Sequence, residues 1–377
     1  MTAASDSAPR PVPAREVLGI LTRHLCALLF PVNALVFLAT GPHAWHVALL
    51  FLLPIAAALT IDLRGPEVRR QPEPGLPAWP FDGLIVLLSG VQLLNIALLA
   101  RMFSAQSFLS VDTLIGVLIV GANSGYSGIV IAHELIHRKT RWLQQLGRAL
   151  LCTVMYEHFF TEHLRGHHVR VGTPDDPATA RFGESFSRFY VRTVPAQFRS
   201  AWRLEARRLG DPDMPLTDPR ILRSRVLHGL VVEWTLAFAI LAFAGPVAFA
   251  VFLLQALFAS RALEVVNYFE HWGLVREGRR VRPVDSWDTN AWLTYYGLTG
   301  LTRHADHHAY PTRPYQQLRA WDESPKLPRG YIAMFPLVMA KNRLFQKLMT
   351  EELRRRGLGP FAEGAEKAGS ELEVARG

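Results

Sequence analysis

Six long runs of apolar residues limit what this chain can fold into. They fall near residues 18–40, 45–63, 84–99, 109–133, 226–243 and 247–266, and each approaches the ~20 residues of helix that cross a bilayer. Water is absent from the hydrocarbon core, so a run placed there must satisfy its backbone internally, as a helix does. The chain's 377 residues are 50% hydrophobic and 19% charged, with a mean hydropathy of +0.13. Those totals would suit two soluble domains; the bunching of the apolar residues argues against that. The expectation is an all-α, polytopic membrane protein with six transmembrane helices. Gly41-Pro42 and Gly245-Pro246 should break the first and last pairs into hairpins.

Lys and Arg set the orientation. Arg10, Arg15, Arg64, Arg69 and Arg70 flank the first three crossings on one side, and the basic residues of 138–225 join them. The opposite side has short loops, with Arg101 as its evident cation. Both termini are therefore expected in the cytoplasm, with the protein in a bacterial-style inner membrane. The net charge of +9 is explained first by this positive-inside bias, and no nucleic-acid motif accompanies it. Two cysteines, Cys26 and Cys152, stand in no metal or redox spacing; a disulfide framework, a zinc ribbon and an attached rubredoxin-like iron domain are excluded.

Residues 1–15, rich in Ala, Pro and Ser, read as a disordered segment, and no cleavable signal peptide is expected. One membrane domain follows over 16–356. Its cytoplasmic parts, 134–225 and 267–356, should form a helical cap, and 357–377 a flexible tail. The run at 109–133 exceeds what a bilayer needs, so its end should project into the cytoplasm. Its small residues Gly121, Ser124, Gly125 and Gly128 suit close helix packing, or else the lining of a substrate cavity.

That projecting end carries the sequence His133-Glu134-Leu135-Ile136-His137. Residues four apart share a helical face, so the two imidazoles can bind one metal ion. Three later groups answer them: His163, His167 and His168; His271; and His304, His307 and His308. Nine of the fourteen histidines fall in these groups, all on the side chosen from Lys and Arg alone. A lone histidine is more often a satisfied core or surface residue, which is how His24, His43, His46 and His228 are read. Two separate H-x2-3-H-H groups on one membrane side are poorly explained by coincidence. Adjacent histidines can serve two metals on different sides.

The first group also matches HExxH, in which two His bind zinc and the Glu is general base. A membrane metalloprotease would leave most of the other histidines without a role. Imidazole alone does not select the metal. A structural zinc site closes at four ligands, whereas nine histidines suffice for two ions. Glu134, Glu270, Asp306 and, more weakly, Asn267 are candidates to hydrogen-bond ligand rings and orient them.

The segments HELIHR, EHLRGHHVRVGTPDDPATARFGES, NYFEHWGL and RHADHHAYPTRPYQQLR, running in order from His133 to Arg319, resemble the signature segments of the integral-membrane alkane 1-monooxygenases. The resemblance implies a non-haem di-iron site held by His133, His137, His163, His167, His168, His271, His304, His307 and His308. It implies that dioxygen and two electrons hydroxylate a terminal methyl group. Desaturases share the three-box scheme, but NYFEHWGL and GHHVRVGTPDDPA are specific to the hydroxylases. Between Ser286 and His304, Ala291 and Tyr295 stand where members often carry Asn, which bears on the substrate.

An apolar substrate would enter from the bilayer. The chain has no CxxC pair, flavin fingerprint or haem motif, so electrons must come from outside; the resemblance implies rubredoxin and its reductase. Arg203, Arg207, Arg208, Arg279 and Arg280 are candidate docking contacts for an acidic carrier. The rival readings are a desaturase, a hydroxylase of a terpene or alkylbenzene, the HExxH protease, and a non-enzymatic metal-binding or transport protein.

Overall fold

The computed structural model describes residues 12–362. Among them five helices are long and apolar enough to cross a membrane: Ala14–Thr40, Trp45–Arg64, Trp79–Phe103, Val111–Ile136 and Arg225–His271. Large apolar side chains cover their outer faces; Leu87, Leu94, Leu114, Leu118 and Phe243 are all exposed. In the Trp45–Arg64 helix only 17% of the apolar window is buried. A helix apolar all round yet largely uncovered by protein is suited to lipid rather than water.

The fifth helix differs from the two separate runs expected. It is 47 residues long, about 70 Å if it were straight, which exceeds a ~30 Å hydrocarbon core twofold. Gly245 interrupts it with φ 84° and ψ 178°, followed by Pro246. A side chain is disfavoured at that φ, and proline supplies no amide hydrogen, so the two halves meet at a break. Three of the other apolar helices extend past an expected end by one to five residues, and Val111–Ile136 starts two residues later and ends three residues later than expected.

The Val111–Ile136 helix sits at the centre, with two thirds of its apolar window buried. A Cβ on Gly121 would stand 2.7 Å from Phe258, and one on Gly128 2.7 Å from Val154. Both glycines therefore serve close packing, whereas Gly125 lines a cavity. The two uses foreseen for this stripe are divided between neighbouring residues.

Beyond the apolar ends lies a helical layer. Its main pieces are Arg141–Cys152, Phe186–Arg208, Tyr331–Ala340 and Asn342–Arg356. Its core joins Phe189, Tyr268, Trp272, Trp287, Met334 and Phe345, all fully covered. The ten-residue Tyr331–Ala340 helix is apolar but too short to span. It docks on the second apolar helix, where buried Asp62 accepts from Ala333 N at 2.9 Å and from Thr294 Oγ1 at 3.0 Å.

The two terminal segments need partial correction. Helix begins at Ala14, inside the stretch expected to be disordered, and Glu16 in its first turn pairs with Arg70 at 3.0 Å. At the other end Gly357 caps a helix with φ 62°, and Phe361 packs on the core and against Phe182. Apolar contact thus orders 357–362 of the expected tail. The rest of the two expected segments, residues 1–11 and 363–377, lies outside the described residues.

Candidate metal centre

Local helix geometry decides where the nine rings point. The central helix passes through a π-helical stretch, Ser124–Val130, and returns to α geometry at Ile131–Ile136, which bears His133. His137 follows at its C-cap, one turn on. A second π-helical turn, His163–His167, carries the next histidines of the set. On a regular α-helix residue i+5 lies about 140° around from residue i. The i→i+5 pattern of a π turn brings it back to nearly the same face, and His168 Nε2 stands 3.0 Å from His163 Nε2. His167, between them, is aimed elsewhere. Such insertions are common at functional sites.

The rings form two groups: His133, His137, His163, His168 and His307; and His167, His271, His304 and His308. Within each, one nitrogen per ring lies within 4.8 Å of all the others. In the first, Nε2 of His163 is 3.0 Å from that of His137, and Nε2 of His307 is 3.1 Å from that of His168. In the second, the pairs 167–308 and 304–271 approach to 3.3 and 3.2 Å. The groups adjoin: the ring centroids of His167 and His168 are 5.9 Å apart, and those of His304 and His307 5.8 Å.

This arrangement fits metal ions better than hydrogen bonds. Two imidazole nitrogens about 2.1 Å from a shared ion stand about 3.0–3.3 Å apart at angles of about 90–105°. Hydrogen bonds between neutral rings satisfy nitrogens in pairs, and buried His133 Nε2 has no protein partner at all. An unpaired buried acceptor costs about 1–3 kcal/mol, which a bound cation would offset. Burial, reinforced by the neighbouring rings, holds His137, His163, His168, His304, His307 and His308 well below the ordinary imidazole range. Neutral rings keep the lone pair a metal needs.

The groups behind the rings differ from expectation. Asp176, which was not singled out, bonds His167 Nδ1 at 2.9 Å. It is fully buried and also accepts from Thr179 Oγ1 at 2.6 Å. Burial pushes its carboxyl up, but the His167 contact and the Thr179 bond outweigh this and hold it below its ordinary range. The turn signal in Gly172-Thr173-Pro174-Asp175-Asp176-Pro177, just after the His-His pair, could have drawn attention to it. Glu270 Oε1 lies 3.3 Å from His304 Nδ1 and accepts from Tyr331 Oη at 2.6 Å.

The other three candidates do not meet a ligand ring. Glu134 Oε1 takes Arg138 Nη2 at 2.8 Å and Tyr315 N at 3.2 Å, tying the helix end to the last histidine loop. The HExxH general-base reading therefore fails, because its carboxylate is committed to an arginine and a backbone amide. Asp306 accepts from Arg313 at 2.5 Å, Trp321 Nε1 at 2.8 Å and Arg319 N at 3.0 Å. It closes the loop after His304–Ala309. Asn267 donates to Glu264 at 3.3 Å and faces a cavity. Spacing along the chain could not distinguish a carboxylate beside a ring from one pointing the opposite way.

The cavity, about 340 Å3, runs among the apolar helices to the rings. Phe30, Ile55 and Leu59 line it, as do Ala122, Ile129 and Val130 of the central helix and Ile332 and Phe335 of the short one. His133 and His163 of one group and His304 of the other also line it, beside Asn267 and Glu270. An apolar guest would thus meet both histidine groups together.

Residues 111–338 match the model of the fatty acid desaturase family. The chain is 34% identical over 329 residues to alkane 1-monooxygenase 1 of Alcanivorax borkumensis, covering 83% of this chain and 80% of that one. It is 41% identical over 232 residues to alkane 1-monooxygenase 1 of Pseudomonas aeruginosa, 59% of each chain. Against the xylene/toluene monooxygenase hydroxylase component of Pseudomonas putida it is 24% identical over 211 residues. The chain spans about three fifths of the length of the Pseudomonas aeruginosa relatives it matches.

Proposed function

The chain belongs to the fatty acid desaturase family, among its alkane 1-monooxygenases, and from that footing we propose that it is a multi-pass membrane monooxygenase. It hydroxylates the terminal methyl group of alkanes or similar apolar chains. The observation that carries this reading is the convergence of two histidine groups at the end of one apolar cavity. A protein that only stored or carried metal would have no use for an oily passage leading to it.

The metal is two iron ions, one held by His133, His137, His163, His168 and His307, the other by His167, His271, His304 and His308. When bound, they supply the reduction of dioxygen and the transfer of one oxygen atom to a C–H bond. The balance is one substrate, one dioxygen, two electrons and two protons giving one alcohol and one water. The chain's own residues do the rest. Ala122 lies eleven residues before His133 along the central helix, about 16 Å at 1.5 Å per residue, room for an extended medium-length chain. Phe159 and Val130 crowd the ring end and exclude water, which suppresses side reactions. Asp176 would hold His167 through its Nδ1 atom and set the ring's orientation, and the Glu270 carboxylate, 3.3 Å from His304 Nδ1, would favour that ring by its charge.

The two halves of the Arg225–His271 helix cross separately, making six spans over a domain of residues 16–356. The histidine layer faces the cytoplasm of a bacterial inner membrane, where rubredoxin and its reductase deliver electrons. The test is metal content per chain of gently purified protein, followed by octane or dodecane turnover with reduced rubredoxin. About two irons and 1-alkanols are expected; one zinc and no iron, in protein shown not to have lost iron, overturns the reading.

A further inference from the structure

Behind the second histidine group the protein surface opens into a groove of about 550 Å3 whose walls are basic. Arg170 and Arg192 in it are already paired, with Glu162 at 2.7 Å and Glu184 at 2.8 Å. Arg181, Arg199, Arg203 and Arg207 are exposed and, among the described residues, their guanidinium groups have no carboxylate within 4.0 Å, although the Arg181 backbone amide donates to Glu184 at 3.0 Å. Asp175 is the exposed carboxylate among the lining residues. Arg199, Arg203 and Arg207 succeed one another at intervals of four on the Phe186–Arg208 helix. Like charges at that spacing repel along one helical face, so the stripe costs the isolated helix stability.

The floor of this groove is Asp176, the residue whose carboxylate bonds His167 Nδ1 at 2.9 Å. Its loop is clamped to the arginine helix, because Pro177 O accepts from Arg192 Nη1 at 3.0 Å and from Thr193 Oγ1 at 2.8 Å. A partner seated between the arginines therefore stands one side chain and one ring from the second metal group. The apolar cavity reaches the centre through His133, His163 and His304 and does not touch His167.

We propose that the groove between Arg181 and the Arg199–Arg203–Arg207 stripe is the docking site of an acidic, soluble, one-electron carrier protein, and that electrons enter at His167 through Asp176. This rests on the monooxygenase reading above. It also revises the candidate contacts: Arg203 and Arg207 line the groove, Arg208 is engaged by Glu205 at 2.7 Å, and Arg279 and Arg280 do not line it. Positive charge alone would equally attract anionic lipid headgroups. The buried connection to a ligand ring is what a carrier needs and a headgroup does not.

The test uses the full-length protein in nanodiscs of neutral lipid, with reduced bacterial rubredoxin as the probe. Binding is titrated at about 50 and about 300 mM salt, and oxidation of the bound probe is followed by its absorbance. Arg199→Glu/Arg203→Glu should weaken binding about tenfold or more at low salt and flatten the salt dependence. Arg343→Glu, the same charge change on an exposed site outside the groove, should bind as the parent does. Asp176→Asn, compared with the parent at equal bound iron per chain, should bind normally yet oxidise the probe more slowly. Equal binding by the parent and the double variant overturns the docking site while leaving the monooxygenase reading intact. A parent protein that neither binds nor oxidises the probe and forms no alkanol counts against that reading instead. If the double variant loses only its preference for phosphatidylglycerol nanodiscs, the groove is a headgroup site and the proposal fails.

Discussion

On one side of the histidine rings lies a cavity of about 340 Å3 walled by Phe, Ile, Leu and Val; on the other lies an open groove of about 550 Å3 walled by arginine. The first is reached from within the helical bundle and the second from water. Apolar contact is short-ranged and indifferent to salt, while charge acts over about 10 Å and is screened. A centre between two such hollows can take an oily reactant and a charged partner without their competing for one entrance. The rings divide accordingly: His133, His163 and His304 border the cavity, and His167 is tied through Asp176 to the groove.

The largest effect comes from removing what the two hollows share, the histidine centre itself. Replacing any one of the nine histidines by alanine should abolish hydroxylation in protein that still inserts; His163→Ala should also lower bound iron, read by metal analysis. Full activity in several such variants would sink the site.

Asp176→Asn comes next. It keeps the shape but loses the charge beside His167, and groups behind a ligand commonly contribute about 10–100-fold in metal affinity or activity. Asp306→Asn is the contrast. Its carboxylate meets Arg313, Trp321 and the Arg319 amide rather than a ring, so it should lower thermal stability more than affinity per folded molecule. Chelator competition on both variants separates the two.

A smaller effect probes the cavity alone. Ala122→Phe fills the end remote from His133 and should shift product from dodecane toward octane by about tenfold in relative rate, with iron content unchanged. An unaltered chain-length profile would show that substrate does not occupy that end.

The smallest effect belongs to a place remote from both hollows. Although burial pushes Glu352 up, hydrogen bonds from Arg355 and Arg356 hold it down to about 2, from an ordinary 4.5. Its contribution is present above the ordinary value and is lost as pH falls through the lowered one. Glu352→Gln should therefore cost about 0.2–1 kcal/mol near neutral pH, because the pair is partly exposed to water, and progressively less as pH falls toward 2. Unfolding curves at the two pH values check it.

Much of this protein is legible without coordinates. Apolar runs declare the helices because lipid admits little else, and motif spacing singles out nine histidines because a ligand cluster needs many rings on one side. The stripe from Gly121 to Gly128 also reads correctly, though as two uses rather than one. What spacing could not reveal is direction. One π-helical turn, His163–His167, invisible in residue type, brings His168 to His163 and leaves His167 to the other group. Three carboxylates near the motifs, Glu134, Glu270 and Asp306, looked alike in sequence, yet of these only Glu270 faces a histidine ring; Asp176 also does so, from a turn that charge alone does not single out. The ten-residue Tyr331–Ala340 helix is too short to announce itself, and it lines the cavity because Asp62 receives its first turn.

Sequence by itself therefore determined the helical class, the bilayer as solvent and the identity of the clustered rings, since these follow from local composition and period. Tertiary structure alone decided how the rings divide five and four, which acids stand behind them, and that a cavity and a groove meet the same centre from different sides. The division of the rings alone relates residues as much as 174 positions apart, from His133 to His307, and no local rule along the chain encodes the direction in which a distant side chain points.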